Sequence, residues 1–265
     1  MKSSLISKNN FQNKYGENEL IQKRRKRKKI KRYILLSILL ISISIILCLK
    51  LPYFNINTIE VENNRNITSD EIIKLSNIEI GKNIFYINLK RSKTNIMKNS
   101  YILDVNIRRQ LPNKIKIYVE ERTAVFYIKK GEKYLVVDDS GVILEEKQTI
   151  NGMKLIRLDG FDKDDYKVGE VIKAQDTRKI KIITEITELI KNLKEGIPEP
   201  SIVDLTDLTD IRICYGDMII KLGTSDNMEK KYNMAINILM YNKLINKKGY
   251  IDVSYKGDPV FFVES

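Results

Sequence analysis

The chain has no histidine and only two cysteines among its 265 residues. Without imidazole it lacks the commonest general base and the commonest zinc ligand. With no cluster of thiols either, a transition-metal centre has no donor set, and no cofactor is expected. Cys48 and Cys214 lie far apart in the sequence, and Cys48 falls in an uncharged apolar run. The pair cannot staple one exported domain together, so the fold must rest on hydrophobic cores. No period of 20 to 50 residues repeats, which excludes a solenoid. The phosphate-loop pattern Gly-x4-Gly-Lys-Ser/Thr is also missing. Gly223-Thr224-Ser225 precedes a helix, where an anion can be held, but reads as a strand-to-helix turn.

Charge is present in excess and concentrated at one end. The whole chain carries +13, from 47 basic and 34 acidic residues. Residues 1–32 hold 12 basic and 2 acidic residues, so the other 233 residues carry 35 and 32, a balance of only +3. That larger part has no electrostatic reason to bind nucleic acid. Nine of the ten residues from Lys23 to Arg32 are Lys or Arg, the exception being Ile30, and Tyr33 to Leu49 contain no charge. An apolar run with dense positive charge on one flank inserts with that flank in the cytoplasm. The junction therefore predicts a type II anchor in the cell membrane. Residues 1–32 form a cytoplasmic basic tail and residues 33–51 a transmembrane helix, with the remainder outside. Arg24, Arg25, Lys28, Lys29, Lys31 and Arg32 flank the membrane, where anionic headgroups attract them by at most about 1 kcal/mol per charge.

At about 1.5 Å per residue the run Tyr33–Leu49 spans roughly 25 Å, near the lower limit for a hydrocarbon core of about 30 Å. Lys50 can snorkel, and Tyr33 and Tyr53 suit the headgroup level. Ser37, Ser42 and Ser44 can bond back to the helix or across to a partner helix. A cleaved signal peptide would have a shorter core and a small-residue cleavage site, and Cys48-Leu-Lys-Leu-Pro52 offers none. A buried soluble helix or a nucleic-acid arm fits poorly with a charge run abutting the apolar one. Residues 1–22, rich in Asn, Lys and Ser, read as disordered.

The exported part reads as two units. In residues 53–121, Thr58–Val61 forms a strand, Asn63 to Asn66 a turn, and Thr68-x-x-Glu71 a capping box opening a helix to about Ser76. Lys90 to Lys98 is a second helix. Leu103, Val105 and Ile107 alternate with polar residues, as do Ile115, Ile117 and Val119 across the turn Leu111-Pro-Asn-Lys114. This is a hairpin with one buried face. In residues 122–265, short strands are expected at Ala124–Ile128, Tyr134–Val137, Val142–Leu144, Lys154–Leu158, Ser201–Leu205, Ile211–Cys214 and Met218–Leu222. Tyr250–Tyr255 and Val260–Val263 complete the set. Lys179–Leu193 repeats Ile183, Ile186, Ile190 and Leu193 on a helical face. Asp226-x-x-Glu229 opens another helix, carrying Met228, Tyr232, Ala235 and Leu239, which Lys247-Lys-Gly249 closes. The fold class is α+β: a small β-α-α-β-β unit, then a larger mixed domain with an antiparallel-rich sheet and two helices.

Candidate chemistry is sparse. Asp138-Asp139 and Asp164-Asp165 lack the spaced oxygen ligands of a calcium loop and read as turn acids. Glu145 and Glu146, adjacent on a strand, point to opposite faces and cannot flank one glycosidic bond. A Ser/Lys nucleophile pair would suit a membrane-anchored hydrolase, but no serine motif follows the span. The sequence predicts a protein that is not an enzyme.

Several strings, in order, resemble the FtsQ/DivIB family of bacterial cell-division proteins, and the first exported unit resembles a POTRA domain. Phe54 to Asn64 with Thr68-Ser-Asp-Glu-Ile72 follows the pattern I-x-V-x-G-N … s-x-e-e-I, with Asn63 in place of the usual Gly. Asn99-Ser-Tyr-Ile102 stands at N-P-x-V. Arg109-Gln-Leu-Pro112 with Ile115 to Arg122 follows R-x-x-P-x-x-l-x-I-x-V-x-E-R. Val137-Asp138-x-x-Gly141-Val142 follows v-D-x-x-G-v. Ile251-Asp252-Val253 follows y-I-D-v-r, with Ser254 where a basic residue is usual.

The resemblance implies a non-enzymatic scaffold of the divisome, placed at the division septum. The implied partners are small bitopic FtsL-like and FtsB/DivIC-like proteins and, indirectly, the septal peptidoglycan synthase. It also implies that a partner β-segment extends the C-terminal strands. Here those carry Tyr250, Ile251, Val253, Tyr255, Gly257, Val260, Phe261 and Phe262, although the same residues equally suit completion of a core. Competing readings are another POTRA-bearing membrane protein of export or sporulation, or the Ser/Lys hydrolase.

Overall fold

Ser37, Ser42 and Ser44 each donate a hydroxyl proton to a carbonyl one turn back, to Ile34, Ile38 and Leu40 at 2.8, 2.9 and 2.9 Å. Their polarity is thus satisfied inside the helix that carries them, α1 (Ser3–Lys50). The computed structural model describes residues 3–161, 165–174, 176–245 and 247–264. Among these, the stretch Lys23–Lys50 is long and apolar enough to cross a membrane, and it is unburied by the protein. The helix begins well before residue 23, against the expected disorder of residues 1–22. No proline precedes Pro52 and Gly16 is the lone glycine, a cost of about 1 kcal/mol that a long helix absorbs. Of the acid pair Asp164-Asp165, Asp164 lies outside the described residues.

The chain divides into two compact units, one of Met1–Glu60, Ile78–Asn88 and Arg108–Lys116, the other of Val61–Asn77, Leu89–Ile107 and Ile117–Ser265. In the first, α1 leads through a 3-10 turn at Pro52–Phe54 into the start of strand β1 (Thr58–Glu62). Ile56, Ile78, Ile84 and Ile115 are its buried apolar residues.

In the second unit, helices α2 (Ser69–Ser76) and α3 (Leu89–Ile96) pack on each other. Thr68 caps α2 as the sequence predicts, its hydroxyl oxygen accepting the Glu71 N–H at 3.3 Å. The strands β2 (Ile102–Gln110) and β3 (Lys114–Glu121) complete the β-α-α-β-β order, and the small sheet runs β1-β3-β2. Ile115, Ile117 and Val119 are buried, as the alternation requires. In β2 the buried residues are Ile102 and Val105, and Leu103 is exposed. The strand leaves a turn in which Ile102 N–H donates to Asn99 at 3.0 Å, and alternation sets in only from Val105.

The large sheet has nine strands. These are β4 (Ala124–Lys130), β5 (Lys133–Asp138), β6 (Ile143–Lys147), β7 (Ile156–Asp159), β8 (Ile202–Asp204), β9 (Ile211–Tyr215), β10 (Met218–Gly223), β11 (Gly249–Asp252) and β12 (Val260–Val263). Their spatial order is β12-β11-β10-β9-β8-β7-β4-β5-β6. The pairs β4–β7, β7–β8 and β10–β11 are parallel and the other five antiparallel. Helices α4 (Arg178–Lys191) and α5 (Met228–Tyr241) cover one face. Ile182, Ile183 and Ile186 of α4 and Tyr232, Ala235 and Leu239 of α5 share a core with Phe126, Leu158, Ile213, Ile220 and Ile251. The opposite pleat carries Asp159, Asp204, Arg212, Lys221 and Asp252 in register across neighbouring strands. The next row on that face, Ile202, Cys214, Ile219 and Tyr250, is half-buried, so burial alternates along β9 and β10.

Two helix boundaries differ from expectation. Asp226 does not cap α5: it accepts the Thr224 hydroxyl at 3.2 Å, and left-handed Asn227 leads into Met228. The helix then ends at Tyr241, with Lys243 left-handed, well before Lys247-Lys-Gly249. Gly249 opens β11 instead, because the backbone of β12 at Phe262 passes too close to it for any side chain.

Candidate functional site

The nine-stranded sheet ends in two different ways. At one end, β6 is covered: Gly169 N–H donates to the Ile143 carbonyl at 2.7 Å and Ile143 N–H to the Glu170 carbonyl at 3.0 Å, beside a bridge between Val142 and Val171. At the other end lies β12, and among the described residues no strand pairs with its far side.

The ladder between β11 and β12 pairs Gly249 with Val263, Tyr250 with Phe262, Ile251 with Phe261 and Asp252 with Val260. Glu264 N–H donates to the Lys248 carbonyl at 2.8 Å, which sets the phase of this antiparallel ladder. Phe262 and Val260 accordingly exchange bonds with β11, and the N–H and C=O of Phe261 and Val263 point away from the sheet. A free edge of this kind accepts an incoming strand.

Side chains on the edge are apolar and half in water. Val260 is 48%, Phe261 46% and Phe262 53% exposed. Full burial of such a side chain contributes about 1.5–3 kcal/mol. Phe262 stacks on Tyr250 with ring centroids 5.8 Å apart, and the Lys221 ammonium stands over the Tyr250 ring, 4.3 Å from its centroid. Lys221, Tyr250 and Phe262 form a row over three strands that holds the edge aromatic in place. The sequence reading did not find Lys221. Its signal was weak: a polar position in the alternation of β10.

The other predicted edge residues separate into different roles. Ile251 and Val253 are buried in the core beneath α5, and Val253 donates its N–H to the Lys221 carbonyl of β10 at 3.0 Å, so neither presents a free group at the edge. Asp252 accepts the Ser254 N–H at 3.0 Å and the Ser254 hydroxyl at 2.7 Å, which ends β11 three residues before Tyr255. The Asp252 carboxylate is thus engaged by Ser254, where a basic residue is usual in the family pattern. Tyr255 lies against Gly257 and donates its hydroxyl to the Asp258 carbonyl at 3.1 Å, closing the loop between the strands. A Cβ on Gly249 would stand 2.0 Å from the Phe262 carbonyl oxygen, so only glycine lets β12 approach. The membrane-flanking residues Arg24, Arg25, Lys28, Lys29, Lys31 and Arg32 are all exposed along α1.

Elsewhere the candidate acids are held by their own neighbours. Asp138 is buried against Arg122, Asp139 pairs with Lys191 at 2.6 Å, and Asp165 pairs with Lys173. Glu145 accepts the Tyr101 hydroxyl at 2.5 Å. Glu146 accepts Lys133 and the Tyr166 hydroxyl at 2.6 Å each, and these two bonds keep its carboxyl below the usual range. Lys231 donates to the Leu222 and Thr224 carbonyls at 2.9 and 3.1 Å, so a cation already occupies the approach to α5. Among the described residues no group of three or more acids or thiols converges on a metal-sized site.

One apolar helix followed by a β-α-α-β-β unit and a larger mixed sheet defines a POTRA-bearing protein with a candidate membrane anchor. Residues 54–122 match the family model described as POTRA domain, FtsQ-type, and residues 126–254 the one described as cell division protein FtsQ/DivIB, C-terminal. The chain belongs to the FtsQ/DivIB family of cell-division proteins. It is 46% identical over 247 residues to cell division protein DivIB of Clostridium botulinum strain Hall, covering 93% of this chain and 96% of that protein. The DivIB of Clostridium acetobutylicum is 45% identical over 248 residues, 94% and 98% of the two chains. That of Bacillus subtilis is 33% identical over 131 residues, 49% and 50%. Strand β12 lies beyond the matched C-terminal segment.

Proposed function

We propose that this protein is a non-enzymatic scaffold of the division machinery that grips small bitopic partners through β12. Residues 1–32 lie in the cytoplasm, and residues 33–51 cross the membrane. A POTRA domain at 53–121 and the β domain at 122–265 lie outside, at the septum. The partners are FtsL-like and FtsB/DivIC-like proteins, and holding them regulates septal peptidoglycan synthesis. The basic residues from Arg24 to Arg32 keep the tail inside and against anionic lipid.

The observation that carries this reading is the contrast between the two sheet ends. One edge is sealed by the chain's own residues 169–171, while β12 offers outward N–H and C=O groups flanked by exposed phenylalanines. Membership in a cell-division family supports the septal context. The orientation rests on the charge run before the span.

A fluorescent fusion to the N-terminus should gather at the division site, and depletion should give filaments with unclosed septa. Affinity capture of the full chain from detergent extracts should bring down two small single-span proteins, and removal of residues 256–265 should release them. An even envelope distribution during division, or capture unaffected by that truncation, contradicts the proposal. Protease added to wall-stripped cells should digest the large C-terminal part and spare the basic tail.

A further inference from the structure

The last carbonyls of a helix lack partners within it. In α1 the carbonyls of Cys48 and Leu49 are taken by the Asn83 side-chain amide at 2.9 and 3.3 Å, from a residue more than thirty positions away. The same side chain accepts the Phe85 N–H at 3.0 Å. Ile84 N–H donates to the Phe54 carbonyl at 2.9 Å. Arg109 donates to the carbonyls of Ile84 and Ile87 at 2.8 and 2.6 Å. All these residues belong to one compact unit. The loop 83–87 is therefore fastened to the end of α1 by the Asn83 side chain and held from behind by Arg109, which positions Phe85.

That place is alongside the span. Phe85 forms one wall of a groove of about 460 Å³ whose other wall is Leu40, Ile41, Ile45, Cys48 and Leu49. Ser44, also on this wall, spends its hydroxyl on Leu40. The groove thus offers no unsatisfied side-chain hydroxyl and is continuous with the apolar surface of α1. Ile45 lies about 7 Å along the helix from Lys50, at about 1.5 Å per residue. If α1 crosses the membrane, as the proposed function holds, Phe85 lies below the level of Lys50, inside the lipid boundary. Tyr53, Ile80 and Tyr86 of the same unit are each about two-thirds exposed, at 65%, 66% and 65%. Such aromatic and apolar bodies are costly in water and suited to the headgroup level. The charged neighbours on this segment, Glu79 and Lys82, neutralise each other at 3.0 Å.

We infer that this unit dips into the outer leaflet, with acyl chains of outer-leaflet lipid filling the groove between Phe85 and the span. The contact fixes the depth and tilt at which this unit leaves the membrane, because the loop cannot move without breaking the Asn83 and Arg109 bonds.

The chain contains no tryptophan, so a single one introduced by substitution reports without background. The full-length protein carrying Phe85→Trp, Tyr86→Trp or Ile41→Trp is reconstituted in phosphatidylglycerol–phosphatidylethanolamine vesicles with brominated acyl chains. Phe85→Trp should emit at short wavelength and lose about half its intensity to bromines near the headgroup, as interfacial aromatics do. Tyr86→Trp should follow more weakly, and it guards against a local effect of replacing Phe85. Ile41→Trp should be quenched best by deep bromines. If Ile41→Trp is quenched while both loop reporters emit as in water, the inference falls and the span stands. If none is quenched, both fall. If Phe85→Trp is shielded at high protein density and quenched on dilution with lipid, the groove holds another helix and the inference is overturned.

Discussion

Arg122 Nη1 stands 2.7 Å from Asp138 Oδ2, and this pair joins the two strings of the family pattern that end in Arg122 and begin at Val137. The Asp138 side chain is 1% exposed and also accepts the N–H groups of Ser140 and Val142 at 2.9 and 2.7 Å. One carboxylate thus organises the turn between β5 and β6 and holds the segment entering β4. Removing one partner of a buried pair is far costlier than the pair is worth, because the other charge remains buried.

Asp138→Ala should therefore lower unfolding stability by about 3–5 kcal/mol. Arg122→Ala strands the Asp138 carboxylate, 1% exposed, without its cation and should cost at least as much. A double-mutant cycle in urea should give a coupling above about 1 kcal/mol. A cost for Asp138→Ala within about 0.5 kcal/mol, the range of an ordinary surface substitution, would show that the pair is not structural.

Gly249→Ala places a methyl group where the Phe262 carbonyl now lies. The strand β12 should detach while the rest of the sheet persists, since β11 remains paired with β10. Amide exchange of Tyr250 and Phe262 should accelerate strongly, with little change at Ile220 or Ile213. Unchanged exchange in β12 would contradict the close approach.

Proline at neighbouring positions of β12 separates edge binding from edge folding. At Phe261 it removes an N–H that points away from the sheet, so β12 should stay paired and partner capture should fall. At Phe262 it removes an N–H that β11 uses, so β12 itself should be lost. Equal folding damage from the two substitutions, read by amide exchange, would mean the ladder phase is reversed.

Tyr215 and Tyr232 share a hydrogen bond at 2.6 Å in the core beneath α5. Burial pushes the Tyr232 phenol up from its ordinary 10 to about 12 and Tyr215 higher still, the latter helped by its neighbour. The folded chain holds these protons where the unfolded chain releases them. Stability is therefore complete below pH 10 and is lost as pH rises through about 12. Replacing both with Phe should flatten this alkaline loss, measured as unfolding free energy in urea from neutral pH upward. An unchanged alkaline slope would contradict their burial.

Much of the fold was legible because short-range rules were obeyed. Thr68 and Glu71 form their expected cap, and Ile115, Ile117 and Val119 show the buried face their spacing demands. Where the reading missed, a contact distant in sequence had taken over. Asp226 answers to Thr224 rather than to the start of α5, and Gly249 answers to Phe262 rather than to the helix end. Lys179, the first residue of the helix expected at Lys179–Leu193, is buried with its ammonium 2.7 Å from the Gly160 carbonyl. At the candidate edge, the sequence named Tyr250, Ile251, Val253, Phe261 and Phe262 together. Strand parity separates Tyr250 from Ile251, but parity does not say which side α5 covers.

The primary sequence determined where the chain is apolar enough to cross a membrane and which flank carries the charge, because both depend on composition within a few turns of helix. It also determined the element order and the family motifs. Tertiary structure decided which sheet edge is sealed and which is open, and that Asn83 caps α1 from more than thirty residues away. Such decisions depend on backbone groups that every residue shares. No side-chain pattern records them, and only the path of the folded chain assigns their partners.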